Sequence, residues 1–377
     1  YYACHKSVYF CCMIQFDKVI NDDYNRMQFW NLRLDSVIIL IVLVCLAAAV
    51  ALFFFVFSLY VFCRINNKRY DGNRHVKYFK ASDFPGIEAE SIAFASDRGQ
   101  TLRGYLYHEC KTVFPKALLI FAHGYGAGHQ AYTTEIAAMA NAGYWVLAFD
   151  ATGCVASDGK CMRGFDQGVI DLRYAIRYAD GAPRFSGLKK ILVGHSWGAF
   201  CALNAVSEES ICGAVAVCGF ISGAKVLAQN TVGKKLPCLT FIAEGYLRFF
   251  NRLRFGKAAN QNSLKTVRKS GKPIYLIYGS EDKTVVFAKN GAVFAREFEN
   301  SENVRCKVCE GKGHNPYLTA EAERAMNETF SSIAAQKKTD PALALLMYER
   351  IDYTKITQED PVIMRSIIEF CDCLAQN

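Results

Sequence analysis

Apolar positions along this chain fall into two regimes. Across residues 37–63 they are continuous, reading VIILIVLVCLAAAVALFFFVFSLYVFC without a charge, and roughly 20 such residues suffice to cross the hydrocarbon core of a bilayer. The run predicts a transmembrane helix. A secretory signal peptide has an apolar core of about 7–15 residues that ends in small residues, whereas this run ends Tyr60-Val61-Phe62-Cys63-Arg64. Further along, short apolar runs alternate with helical stretches, the pattern of a mostly parallel sheet covered by helices. Strands are predicted at 91–95, 101–107, 117–121, 145–150, 190–193, 214–217, 274–278 and 304–309, which makes a sheet of eight.

Between the sixth and seventh of these strands the spacing breaks down. Residues 221–272 are too many for one crossover helix, and within them residues 236–255 are rich in Leu, Phe, Tyr and Ile, interrupted by Arg248, Arg252 and Arg254. Amphipathic helices covering a cleft fit that pattern, a cap able to touch an apolar substrate. Residues 361–375 carry apolar positions at helical spacing and predict a packing helix. The chain opens Tyr1-Tyr2 with no Met. Residues 1–36 are expected to be a disordered or non-native segment, with Met27 as an alternative start. A polar linker over 64–87 joins the membrane helix to the folded part.

Charge refines this picture. The formal net charge of +9 is concentrated at the N-terminal end, where residues 1–80 hold 10 basic and 5 acidic groups. The remainder is nearly neutral and shows no basic patch of the kind nucleic acid requires; the basic excess lies where anionic lipid headgroups would be. The 20 residues before the apolar run carry Lys18, Arg26 and Arg33, and the 20 after it Arg64, Lys68, Arg69, Arg74, Lys77 and Lys80. That asymmetry predicts a single-pass protein whose folded domain is cytoplasmic. Cysteine usage agrees: 11 of 16 cysteines follow the run, an odd number without regular spacing, unlike a disulfide framework. The one sequon noted, Asn327-Glu328-Thr329, carries little weight against this.

The chemistry centres on Gly194-His195-Ser196-Trp197-Gly198, where a predicted strand runs into a helix-forming stretch. A Ser at so sharp a turn needs small neighbours so that strand and helix can approach, and the turn lifts its hydroxyl above the sheet edge. The following helix start favours an anionic intermediate. A Ser nucleophile needs a base. Of seven histidines, His5 and His75 lie outside the fold, His108 sits near an early strand's end, and His195 adjoins the Ser on a turn that points neighbouring side chains apart. His314, in the glycine-rich loop Glu310-Gly311-Lys312-Gly313-His314-Asn315-Pro316 after the last strand, is best placed. Asp282, just past the seventh strand, is the carboxylate expected to orient it, with Glu281 as rival. Two backbone N–H groups would hold the oxyanion, from Trp197 and from Tyr125 in Ala122-His123-Gly124-Tyr125-Gly126. No metal or cofactor is expected. His123 lies in a turn without carboxylate spacing, and Cys306 and Cys309 on one strand point to opposite faces with no second pair.

With these residues in view, residues 91–335 resemble the α/β-hydrolase superfamily, and within it the branch of monoacylglycerol lipases, carboxylesterases and serine aminopeptidases. HGYG at 123–126, GHSWG at 194–198, GSEDKTV at 279–285 and GKGHNP at 311–316 carry the likeness. It implies an α/β-hydrolase fold over 88–377, with helices on both faces of a mostly parallel eight-stranded sheet and a helical cap insertion. The order Ser196, Asp282, His314 is the nucleophile, acid and base order of that superfamily. One departure stands out. Asp150-Ala-Thr-Gly153-Cys154-Val155 has Val155 where the family's loop commonly has a second glycine. The expectation is a membrane-anchored serine hydrolase cleaving carboxylic, lipophilic acyl esters, with a small-molecule ester or lipid as substrate. Its rivals are a peptidase or acyltransferase on the same residues, and a non-catalytic membrane scaffold.

Overall fold

The computed structural model describes residues 2–376, and side chains from Met13 onward apart from Ile14. What the sequence predicts for Tyr1 and for the side chains before Met13, His5 among them, lies outside the described residues. By its internal contacts the chain divides into Tyr1–Phe57 and Ser58–Asn377. The first unit is helix. Helix α1 runs Tyr2–Asn66, longer than the apolar run at both ends, and residues 1–36 hold no Pro or Gly that would break it. Its side chains from Val37 to Phe53 include many exposed large apolar groups.

The second unit begins with the last turns of α1 and continues through β1 (Ile87–Ala95), β2 (Thr101–Glu109), β3 (Leu118–Ala122), α2 (Thr133–Asn141), β4 (Trp145–Phe149), α3 (Phe165–Gly181), β5 (Lys190–His195), α4 (Trp197–Ala205) and β6 (Ile211–Val217). The cap follows as α5 (Gly223–Asn230), α6 (Thr240–Phe255) and α7 (Ser263–Ser270), then β7 (Ile274–Gly279), α8 (Gly291–Glu297), β8 (Val304–Cys309) and α9 (Ala320–Thr339). The C-terminal helix, Pro361–Gln376, closes the chain. The eight strands form one sheet in the order β1-β2-β4-β3-β5-β6-β7-β8, and β2 alone runs against the others. Helices α3 and α4 pack together over one face of the sheet, while α2 and the C-terminal helix meet over the other. Every position of β3, β5 and β7 is buried, as expected for parallel strands covered on both sides.

All predicted strands are present, with ends moved by a few residues. The largest shift is at β1, which starts at Ile87. There Glu88 and Glu90 alternate with smaller residues along an edge strand whose burial is uneven, so the apolar signal begins late. Cap helix α6 is amphipathic, burying Ala243, Leu247 and Phe250 while Phe241, Phe249 and Leu253 stay exposed. Helix α7 is bounded by an Asn262 side chain accepting from the Lys265 N–H at 3.0 Å and by Gly271 at φ +63°, the side-chain cap and left-handed stop that such a short helix needs.

The segment after α1 is bonded into the domain. The Tyr70 N–H donates to the Gly153 carbonyl and the Val155 N–H to the Tyr70 carbonyl, each at 2.9 Å. The Arg69 guanidinium reaches three carbonyls of the same loop, those of Ser157 (2.9 Å), Gly159 (2.8 Å) and Val155 (2.5 Å). This clamp holds Val155 at φ +37°, a left-handed conformation that a β-branched residue resists. The strain is about 1–3 kcal/mol, against about 0.5–1 kcal/mol for the extra unfolded-state freedom of a glycine. Val155→Gly should therefore stabilise the protein by about 1 kcal/mol, raising Tm by about 2–4 °C in thermal melts. A lowered Tm would show that Val155 contacts outweigh the strain.

Candidate active site

The site is built where the parallel strands end. Register places Ala122 of β3 opposite Gly194 of β5, and His195 opposite Val217 of β6, so three loops leave the sheet side by side. At Ser196 the chain turns from β5 into α4 with φ +56° and ψ −112°, a conformation worth about 1–3 kcal/mol of strain. Two backbone bonds fix it, from the Ser196 N–H to the Val217 carbonyl (2.8 Å) and from the Phe200 N–H to the Ser196 carbonyl (3.0 Å). All nine residues of α4 are buried. Burying Phe200 and Leu203 contributes about 1.5–3 kcal/mol each, enough to outweigh the turn. A Cβ at Gly198 would collide with the Ala122 carbonyl, and one at Gly194 with the Gly198 backbone; only glycine permits that crossing.

The structure brings Ser196, His314 and Asp282 together. His314 Nε2 lies 3.0 Å from Ser196 Oγ, and its Nδ1 lies 2.7 Å from Asp282 Oδ2. A carboxylate only accepts, so Nδ1 carries the proton and Nε2 is left to accept from the Ser196 hydroxyl. Asp282 Oδ1 accepts from the Thr284 N–H (2.8 Å) and the Val285 N–H (2.9 Å). Burial pushes the Asp282 carboxyl up, but its bonds from His314 and these amides outweigh that and hold it below the usual range, ionised as an orienting group requires. Glu281, the alternative carboxylate, is exposed. The His314 loop is itself pinned: Glu323 accepts from the Gly313 N–H (2.8 Å) and the Asn315 N–H (2.7 Å), one on each side of the imidazole.

The Trp197 N–H is in the first turn of α4, where helical geometry leaves donors free. The Tyr125 N–H donates to no acceptor among the described residues. The Tyr125 ring is partly exposed and packs against Phe165 (5.7 Å between centroids), Tyr70 (4.6 Å) and, at 6.5 Å, Trp197, the exposed edge of an aromatic cluster whose Phe165 and Trp197 are buried.

The other histidines brace the site. His123 Nε2 accepts from the Ala151 N–H (3.0 Å), which leaves Nδ1 to donate to the Gly124 carbonyl (2.7 Å), and burial lowers its pKa. His129 pairs with buried Asp150 at 2.8 Å. His108 faces Glu90 at 3.4 Å. His195 is the surprise, because the sequence places it apart from the chemistry. Its Nε2 donates to the His314 carbonyl (2.8 Å), and its Nδ1 accepts from the Tyr132 hydroxyl (2.9 Å), whose oxygen accepts from the Gly124 N–H (3.1 Å). Burial above all, with help from His314, lowers its pKa to about 3, so this relay runs through a neutral imidazole. It links the His314 loop to the loop bearing Tyr125. Sequence reasoning missed His195, Tyr132 and Glu323, since each acts through partners distant along the chain.

Could the cluster hold a metal? Ligand atoms of His195, Cys218 and His314 lie within 4.8 Å of one another. All four ring nitrogens are already bonded as described, and burial raises the Cys218 thiol well above its ordinary pKa, away from the thiolate a metal binds. The donor set fits an acid–base relay better than a metal.

A small cavity of about 30 Å³ is lined in part by His195, Tyr132, Glu135 and Tyr317. Glu135 and Glu359 each bury an oxygen without a partner. Burial raises both carboxyls, and the charge of Glu359 raises Glu135 further.

A family model described as "Serine aminopeptidase, S33" (Hydrolase_4) matches residues 114–267, a span holding the Tyr125 and Ser196 turns but ending before Asp282 and His314. No match to a curated protein was found. Among solved structures, an esterase of Pyrococcus furiosus, Pf2001, is similar in two crystal forms. The first has 23% identity over 72% of this chain and 98% of that one at a TM-score of 0.51; the second has 22% identity over 71% and 98%, also at 0.51. The fold is the α/β-hydrolase fold.

The buried carboxyl pair generates a pH dependence. Native Glu135 and Glu359 keep protons that the unfolded chain has released above the ordinary carboxylate range, so the native state binds more protons and stability falls as pH rises from about 5 to about 8. Glu135→Gln should flatten that slope and raise Tm at pH 8 by about 2–4 °C or more. Melts over a pH series check it, and an unchanged slope would show that the pair does not hold its protons.

Proposed function

We propose that the protein is a membrane-anchored serine hydrolase that cleaves carboxylic esters through an acyl-enzyme on Ser196. The observation that carries this reading is the unbroken chain Ser196 Oγ to His314 Nε2, and His314 Nδ1 to Asp282 Oδ2, at 3.0 and 2.7 Å. His314 takes the Ser196 proton as Oγ attacks the ester carbonyl carbon, and Asp282 stabilises the imidazolium that results. The oxyanion is held by the Tyr125 and Trp197 N–H groups, each worth about 2.7–4 kcal/mol in the transition state. His314 then gives its proton to the departing alcohol. Water, deprotonated in turn by His314, releases the acid and restores Ser196.

The substrate class follows from what surrounds the turn. The exposed ring of Tyr125 and the amphipathic cap favour a lipophilic acyl group. Helix α1 holds a stretch long and apolar enough to cross a membrane, and the basic residues after it favour a cytoplasmic domain. The match to a model described as serine aminopeptidase favours a second reading, amide hydrolysis with the same three residues.

Fluorophosphonate labelling of the full chain, with a panel of lipid esters and aminoacyl amides, tests the chemistry. Ser196→Ala should abolish labelling and lower turnover at least about 10⁴-fold, and Asp282→Asn should lower it about 10⁴-fold; a Ser196→Ala protein that still turned over the ester would end this assignment. Amides turned over faster than esters would favour the second reading. The anchored reading predicts that the full chain stays in the pellet after alkaline carbonate extraction of membranes, and release into the supernatant would contradict it.

A further inference from the structure

An open pocket of about 730 Å³ lies at the junction of the segment after α1, the loop after β4 and the cap. Its lining carries four cationic side chains, Arg98, Lys160, Arg163 and Arg254, with Asn67 at the edge. They are not evenly compensated. Arg163 faces Asp97 at 3.6 Å and donates to Gln167 at 2.6 Å, and Arg254 donates to the Arg163 carbonyl at 2.8 Å. Among the described residues the side chains of Arg98 and Lys160 have no acidic partner. Burial holds the Arg163 and Arg254 guanidiniums below their ordinary pKa, and the charge of Arg98 on Arg163, and of Arg163 on Arg254, pushes the same way. Like charges gathered with only Asp97 ion-paired among them and Asp171 further off are destabilising unless an anion joins them.

The position of the pocket says which anion. Asn67 follows the end of the uncharged run at Cys63 by four residues. The last turns of α1, from Ser58 on, pack against cap helix α6: the Phe62 and Phe250 rings are 5.9 Å apart, and the Arg254 guanidinium stands 4.5 Å over the Phe62 ring. A cationic pocket that begins four residues beyond an apolar run able to cross a membrane stands where, with that run as the anchor, the phosphates of the interfacial layer would lie.

We propose that this pocket binds the phosphate of an anionic glycerophospholipid, with Arg98, Lys160, Arg163 and Arg254 around the headgroup. The proposal rests on reading α1 as a membrane anchor and extends it from a tether to a defined headgroup site. Guanidinium groups suit a phosphate because they donate in pairs. Bound there, the lipid would hold the cap and the loop after β4 against the bilayer surface.

The test measures binding to the full chain in neutral detergent. The probes are short-chain, ether-linked phosphatidic acid, which a hydrolase cannot turn over at an ester, the matching phosphatidylcholine, and inorganic phosphate. The wild type is compared with R98E/K160E, which changes two exposed side chains, with fluorophosphonate labelling as the check that both chains are folded. Phosphatidic acid should bind wild type at least about tenfold more tightly than either other probe, and the double variant should lose at least about tenfold of that affinity. Equal affinity in the two chains would overturn the site. Inorganic phosphate binding as tightly as phosphatidic acid would overturn the lipid as its occupant. Because the probe is soluble and the readout is binding, the result is independent of whether α1 spans a bilayer and of which substrate Ser196 attacks.

Discussion

The structure depends on one close crossing. Where β5 gives way to α4, the helix start passes directly over the end of β3, with Gly198 against the Ala122 carbonyl. Because β3 and β5 run parallel with Ala122 opposite Gly194, the crossing puts the Tyr125 loop and the Ser196 turn next to each other. The strain in the turn is small beside the apolar burial on both faces of the sheet. A few kilocalories of unfavourable backbone are thus held in place by a core that is indifferent to the chemistry above it.

Around that crossing the polar groups are arranged with their partners already chosen. Asp282 receives three donors, and Glu323 brackets His314 from below. His195 is kept neutral by burial and so can donate on one side and accept on the other, which a charged imidazole could not do. The result is a site in which few groups must reorganise when charge develops, the condition under which buried dipoles are most effective. The cost of burying so many polar groups is met by satisfying most of them, with the Glu135 and Glu359 oxygens, His129 Nε2 and the Tyr278 hydroxyl among the exceptions.

Much of this was legible in the sequence, and the reasons differ by region. The central strands were readable because parallel strands buried on both faces are uninterrupted apolar runs, as in Lys190-Ile-Leu-Val. The residues that converge were readable because each sits at a strand end flanked by small residues, a pattern that backbone sterics impose. The beginning of β1 was obscured by Glu88 and Glu90. The roles of His195, Tyr132 and Glu323 were invisible for a different reason. Their partners are between 8 and 119 positions away along the chain, and nothing in local periodicity encodes which loop will fold back onto which. The segment after α1 read as a polar spacer because its hydrogen bonds to the domain are made by backbone groups and by polar side chains, Asn73 and above all one arginine, Arg69, which leave no apolar trace.

That arginine changes what the N-terminal part of the domain is. Arg69 gathers three carbonyls of the loop after β4 while its neighbour Tyr70 lies on the ring of Tyr125. A displacement of the helix end would therefore reach Gly153, Val155 and the Tyr125 turn through a handful of short bonds. The stretch of chain that leaves α1 is therefore a strut of the domain rather than a spacer, and its position and the shape of the loops beside Ser196 are fixed together.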